Sequence, residues 1–452
     1  MTTPLQAVRH RRGWSQSRLV WELTKLAEKK GASIATSASL KTLISRWENG
    51  HATPDAFYQP LLCELYGSTP ACLGFGWQSL PERNGSIASS PTRLLTKAEW
   101  THDDLHAFSA TFDSALNRSS VEEIDRLAHE WLITDPPQII ELSAGRHIGE
   151  SLVAAVEHRV IQLRRADDFV SGRDSHALVR KELEVTTRLL DQAAYTEDQA
   201  RRLLTAAGEL AQLGAWVAAD AGLYAEAARY TRGGVLAAHA ADNAPLTANI
   251  ISTLSYQIAN TGNPHQAAVL ARTAYAGARH QATATTKALL LERVAWADAK
   301  SADLRSCERS LGLVEENFAH STPDEDPDWV YWLNREEIDV MAGRCYTELK
   351  QPGRGEPLLR NAIDNYNDAL VRENALYLSW LAEDYILQGE IDHAAELATR
   401  VLELTRHTNS ARTDDRLRYL ATLLKRYETV RSAAAFIDLY RSLHTTRRVH
   451  CP

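Results

Sequence analysis

The chain has 452 residues, 24% of them charged and 44% hydrophobic, with a formal net charge of −8. At roughly 150 residues per domain it has room for about three units, and no apolar run reaches the roughly 18–20 residues of a bilayer-spanning helix, so no membrane partner is expected. Five cysteines (Cys63, Cys72, Cys307, Cys345, Cys451) lack CxxC or alternating Cys/His spacing, against a disulfide framework or structural zinc, and residues 1–10 lack a basic-then-apolar leader, so a cytoplasmic chain without cofactor is expected.

An acidic total argues weakly against a polyanionic partner such as DNA. The charge is unevenly spread, however. Residues 1–76 hold nine Lys/Arg against five Asp/Glu, a net of +4, which leaves −12 for the remaining 376 residues. A small basic head precedes a large acidic body.

In the head, Trp14-Ser15-Gln16-Ser17-Arg18-Leu19-Val20 predicts a helix start with Ser15 as N-cap, followed by a buried stripe of Leu19, Leu23 and Leu26. A loop over 31–36 precedes a second helix beginning at Ser37. Leu40, Leu43, Ile44 and Trp47 share its inner face, and Lys41, Thr42, Ser45 and Arg46 project from the other. Gly50 is expected to close it, and Thr53-Pro54-Asp55 to open the next helix with Pro54 at its first position.

A helix, a turn and a second helix with a polar outer face suit the DNA major groove, about 12 Å wide. The string Ile44-Ser45-Arg46-Trp47-Glu48-Asn49-Gly50, with Ser15-Gln16 upstream, resembles the xenobiotic-response-element family of helix-turn-helix regulators, relatives of lambdoid phage repressors, over residues 4–67. It departs from that family in a turn about eight residues longer and in Arg18, where an acidic capping residue is common. The resemblance implies double-stranded DNA as partner. Gln16 and Asn49 would meet phosphate; Lys41, Thr42, Ser45 and Arg46 would face base edges, with Arg46 suited to bidentate guanine recognition.

The stretch 77–99 is polar and interrupted by Pro81, Gly85 and Pro91, and reads as a linker. From Trp100 onward apolar residues recur at i, i+3, i+4 and period-2 strands are absent, so the body is expected to be all-α, with 100–200 a helical connector or divergent first repeats. Residues 201–445 repeat. A turn glycine followed five residues later by a small residue occurs at Gly222/Ala227, Gly262/Ala267 and Gly389/Ala394. Weaker copies fall at Cys307, Gly355 and Ala433, with a fainter one at Gly172/Ala177. The spacing is 39–40 residues except for one of 48, which holds the acidic loop 322–327. Such helix pairs cannot bury their apolar faces alone and stack into an α-solenoid. Gly343…Tyr346 and Ala382…Tyr385 are similar to the first-helix signature of the tetratricopeptide repeat, whose usual period is shorter at 34.

A solenoid presents a groove lined by its first helices. The expected groove residues are Asn249, Ser252, Tyr256 and Asn260, then Trp296, Arg344, Ser379 and Glu383, with Glu292, Lys300 and Glu337 beside them. They would serve a peptide, small-molecule or protein ligand; the alternative is a wet polar face with no ligand. Most of the eleven tryptophans, among them Trp216, Trp329, Trp332 and Trp380, are expected to be packing. No GxxxxGK[ST], HExxH, GxSxG or strand-linked GxGxxG is present, and His129-Glu130 lacks a partner at metal spacing, so no enzyme is expected.

The combined layout resembles the peptide-responsive helix-turn-helix/tetratricopeptide regulators of Gram-positive bacteria and regulator families of actinobacteria. That resemblance implies a homodimeric transcriptional regulator. The alternative is an interaction scaffold or antitoxin-like adaptor that uses DNA binding only for autoregulation.

Overall fold

The computed structural model describes residues 3–29, 34–49, 52, 54, 57–66, 73, 94–112, 121–139, 146–169, 172–365, 370–407 and 410–449. Among them are twenty α-helices and four two-residue strands. The all-α expectation holds, with two short parallel ladders that the apolar periodicity did not announce.

The head has four helices: α1 (Pro4–Arg11), α2 (Gln16–Lys29), α3 (Ser37–Glu48) and α4 (Tyr58–Tyr66). Hydroxyls cap three of them. Thr3, Ser15 and Thr36 each accept a hydrogen bond from a backbone N–H of the first turn, those of Gln6, Arg18 and Ser39. Leu5, Leu19, Leu23, Leu40, Ile44 and Leu62 form a sealed core with Trp47 and Tyr66 at its edge, while Leu26 and Leu43 are half-buried. Each such side chain contributes about 1.5–3 kcal/mol on burial. The fourth helix opens at Tyr58 instead of Pro54, which lies in the preceding coil and accepts a hydrogen bond from Gln59 through its carbonyl. Gly50, Thr53 and Asp55 lie outside the described residues, as does 77–93 of the expected linker.

The last part of that linker is not a linker. Leu94 and Leu95 are buried in the body's core, and the Trp100 indole donates to the Leu94 carbonyl. Strand β1 (Glu99–Trp100) pairs in parallel with β2 (Gln138–Ile139), and β3 (Arg146–His147) with β4 (Ala193–Ala194). Between them run α5 (His102–Ser109), α6 (Val121–Trp131), α7 (Glu150–Asp167) and α8 (Gly172–Gln192). Ala177, proposed as a faint repeat position, is exposed on α8; Ser175 is the buried residue there.

Six helical hairpins follow: α9 (Glu197–Asp220) with α10 (Tyr224–Ala240), α11 (Ala244–Thr261) with α12 (Pro264–Ala278), α13 (Ala284–Lys300) with α14 (Leu304–Phe318), α15 (Arg335–Glu348) with α16 (Pro352–Asn365), α17 (Val371–Gln388) with α18 (Ile391–Leu404), and α19 (Ala411–Leu424) with α20 (Arg431–Val449). The repeat positions Ala227, Ala267, Cys307, Gly355, Ala394 and Ala433 are all buried near the starts of second helices. Four hairpins turn through a left-handed residue five positions earlier: Gly222 at φ +78° and Gly389 at +84°, but also Ala302 and Lys350 at +59°. First helices touch one another in succession and form the inner row. The connector helices α5 and α6 lie outside, on α10 and α12.

Among the described glycines, the closest approach to another stretch of backbone is in the fourth hairpin. A Cβ on Gly355 would lie 2.7 Å from Asp384 Oδ2 and 3.0 Å from the Gly343 carbonyl oxygen, whereas one on Gly353 would meet nothing within 4 Å. Gly355→Ala is therefore expected to destabilise the body by about 1–3 kcal/mol. Gly353→Ala should be neutral or stabilising by up to about 1 kcal/mol. Urea denaturation followed by far-UV circular dichroism separates the two; equal midpoints would remove the close approach as a constraint.

Candidate functional site

Two places bring chemistry together. The first is the outer face of α3. Lys41, Thr42 and Arg46 are exposed and Ser45 half-exposed, while Leu40, Ile44 and Trp47 on the opposite face are buried. Thr42 Oγ1 donates to the Ala38 carbonyl, and Asn49 Nδ2 donates to the Ser45 carbonyl at 2.8 Å, closing the helix. Among the described residues no ion pair or hydrogen bond occupies the Lys41 or Arg46 head group.

The helix is held by a buried charge. Glu48 is 1% exposed and receives Arg9 Nε at 2.5 Å and Nη2 at 2.9 Å, a bidentate fork that binds α1 to α3. Gln16 Nε2 donates to the same carboxylate at 2.8 Å. The expected phosphate role of Gln16 thus meets a competitor within the fold: its carboxamide here ties α2 to α3.

The second place lies inside the solenoid. Described residues of all six first helices line a cavity of about 500 Å³, together with the end of α7 and the segment bearing Trp329, Tyr331 and Trp332. Polar bridges span it. Arg412 Nε and Ser410 Oγ each donate to Asp220 Oδ1 at 2.8 Å, joining the start of the sixth hairpin to the end of α9. Arg372 on α17 donates to the Asp167 carbonyl at 3.1 Å, and the Tyr331 hydroxyl donates to Asp168 Oδ2 at 2.5 Å. The inner row curls until its ends meet, so the groove is a bridged chamber.

Tyr256 stands in the wall. Its ring lies between Trp216 and Trp296, at 5.9 and 6.3 Å, and its hydroxyl accepts from Arg344 Nη2 at 2.8 Å. Burial alone would raise this phenol, but Arg344, Arg412 and Arg293 outweigh it and bring it down to about 8. Burial pushes the Glu292 carboxyl up to about 8, with Arg293 opposing only in part. Burial also works against Asp220, yet Arg412 and Arg372 hold its carboxyl below the ordinary value.

Of the eight groove residues read from the sequence, Asn249, Tyr256 and Arg344 line the chamber. Ser252, Trp296, Ser379 and Glu383 are sealed between helices: Ser252 donates to the Asn249 carbonyl, Trp296 to Asn260, and Glu383 receives Lys350 and Arg416. Asn260 is exposed, one turn beyond Tyr256. The lining stripe on α11 is Asn249, Thr253 and Tyr256, at i, i+4 and i+7. Sequence reasoning missed Arg293, Arg372 and Arg412, and it assigned Trp216, Trp329 and Trp332 to packing. The 48-residue spacing was the available signal, because the extra residues deliver the aromatic segment to the chamber. His129 serves its own helix, with Nδ1 at 2.7 Å from the Asp125 carbonyl oxygen. Among the described residues no group of three His, Cys, Asp or Glu is placed to hold a metal ion, and no helix is long and apolar enough to cross a membrane.

The Glu48 anchor makes a direct prediction. Glu48→Ala leaves Arg9 buried without its partner and is expected to cost the head about 3 kcal/mol or more. Quenching of Trp47 fluorescence during chemical denaturation reads this; an unchanged head transition would show that the fork is dispensable.

No protein-family model matches the chain, and no curated protein matches it.

Proposed function

We propose that the chain is a sequence-specific DNA-binding transcription regulator, in which a helix-turn-helix head is governed by ligand binding inside a tetratricopeptide-like solenoid. The observation that carries the reading is the division of α3 into two faces: one buried and braced by the Arg9–Glu48 fork, the other offering Lys41, Thr42, Ser45 and Arg46. A rigid helix with unoccupied cationic heads on one side suits base edges in a major groove. Asn49, exposed at the end of the helix, is assigned the phosphate contact in this reading, and Gln16 is left to Glu48.

One such helix reads a half-site only, so the reading includes a homodimer on paired half-sites. The second part rests on the bridged chamber. A ligand that binds one arrangement of the inner row better than another shifts the population of arrangements, and with it the spacing of the two heads. The acidic body repels the duplex and leaves contact to the +4 head. Few phosphate contacts follow, with a salt slope near −0.9 for each one.

Selection of bound duplexes from a random pool by the full chain tests the reading. An enriched sequence with two related half-sites is expected. Arg46→Ala should flatten preference at one position of each half-site by about 1–3 kcal/mol, while Lys41→Ala weakens binding to all duplexes more evenly. No enrichment, or an identical preference in the Arg46→Ala variant, would overturn the assignment of α3 as the reading helix.

A further inference from the structure

The chamber wall holds a cation whose donors the fold leaves unused. Arg293 is 7% exposed and lines the cavity, its guanidinium 4.7 Å from the ring centre of Tyr256 and 5.7 Å from that of Trp332. Among the described residues it has no hydrogen bond and no ion pair. A guanidinium presents up to five N–H donors in a planar fork, and burying them without acceptors is unfavourable. Beside it, Arg344 packs on Trp296 at 4.6 Å and gives one N–H to Tyr256, but its buried Nε has no acceptor among the described residues.

Glu292 and Glu337 lend Arg293 charge from a distance, but among the described residues neither accepts a hydrogen bond from it. Glu292 is the neighbouring residue, yet burial pushes its carboxyl up to about 8, which favours the neutral form at pH 7, and its Oε1 has no hydrogen-bond partner among the described residues. Both Glu337 oxygens lie within 2.8 Å of the Tyr377 hydroxyl. Asp167 and Asp220 are taken up by Arg372 and Arg412. Two arginines therefore face the cavity with donors to spare, beside the flat rings of Tyr256, Trp216 and Trp332. The volume of about 500 Å³ falls within the range of small-molecule sites. The bridges from Arg372 to Asp167 and from Arg412 to Asp220 cross the groove where an extended chain would run.

We propose that the chamber binds a small molecule with a planar aromatic body and one oxyanionic group, carboxylate or phosphate, the oxyanion seated on Arg293 and Arg344 and the ring against Tyr256, Trp216 and Trp332. A guanidinium fork matches either oxyanion in bidentate fashion. Arginine–aromatic stacking holds the fork in plane before the ligand arrives. This deepens the regulator reading and rests on it, because it names what the solenoid would sense.

The affinity carries a pH signature. Glu292 faces Arg293, Arg344, Arg335 and Glu337, and Tyr256 faces Arg344, Arg412 and Arg293. Both groups lose a proton near pH 8, and each loss places a negative charge beside the arginines that hold the oxyanion. Binding is therefore expected to weaken from pH 7 to pH 9.

The test uses the full chain with 2-naphthoate, 2-naphthyl phosphate, 2-naphthamide and 2-naphthylmethylamine, read by tryptophan fluorescence and thermal shift. The two anions should bind at least about tenfold more tightly than the amide and amine, as expected for a charge-assisted contact. The better of the two anions names the oxyanion. Arg293→Gln should erase that preference while leaving the melting midpoint of the unliganded chain unchanged or higher, since it removes an unpaired buried charge. Arg293→Lys keeps the charge without the fork and should fall between. Amide or amine binding as tight as the anions, anion binding unaffected by Arg293→Gln, or no binding by any probe would overturn the proposal. DNA affinity measured with each probe separates the two claims. An amine that binds and alters DNA affinity would leave the regulator standing without the oxyanion site. An anion that binds through Arg293 without altering DNA affinity would leave the site standing without its regulatory role.

Discussion

The body depends on how closely each second helix can approach its first. A helix pair with ordinary side chains at the crossing stays roughly 8–10 Å apart; a glycine, alanine or cysteine there admits a closer fit. Gly343 facing Gly355 is the closest such crossing among the described glycines, with a backbone oxygen 3.0 Å from where a Gly355 Cβ would go. The left-handed turn residue five positions upstream aims the second helix at that crossing. Repetition of one geometry turns six hairpins into a curved row, and curvature makes an inside. The chamber is thus a consequence of small residues that lie nowhere near it.

Curvature alone would leave an open trough. Closure comes from charges buried far apart in sequence: Asp220 on α9 answers Arg412 and Ser410 some 190 residues later, and Asp167 answers Arg372. A buried ion pair is weak evidence for stability, because desolvation offsets most of its Coulombic gain. It is geometrically exacting, however, since either partner alone would be an uncompensated charge. These bridges therefore specify how far the row curls more than they stabilise it. That makes them natural points at which a bound ligand could favour one degree of curl over another.

The repeat was legible because its key position is small and buried wherever it occurs. Ala227, Ala267 and Ala394 stood out with glycine five residues earlier, and Cys307 and Gly355 were fainter because Ala302 and Lys350 hold the left-handed turn instead. Those residues adopt the conformation at a cost that tertiary packing covers, so the position is real although its usual residue is missing. The groove was harder to read. Asn249 and Tyr256 were found, but Ser252 sits about 60° around α11 from Asn249, enough to turn it into the helix interface, and Thr253 takes its place. Arg372 and Arg412 gave no local signal at all, since their partners lie on other turns of the superhelix. In the head, the buried stripe of α3 was plain from its period, whereas the grip of Glu48 on Arg9 and Gln16 joins three helices and has no periodicity to betray it.

The distribution of charge ties these levels together. The body's net of −12 is a sum over its surface and interior alike, and it conceals a chamber whose wall carries five arginines: Arg164, Arg293, Arg344, Arg372 and Arg412. Three of them are neutralised by fixed acids or satisfied by neighbouring helices, which is what curls the row. The other two, Arg293 and Arg344, are stacked on aromatic rings, and among the described residues only the Tyr256 hydroxyl supplies an acceptor, to Arg344. A fold that needed these cations only for closure would have paired them in the same way. Their different treatment within one cavity separates cations paired with fixed acids from cations stacked on rings, a distinction that net charge and residue type cannot make.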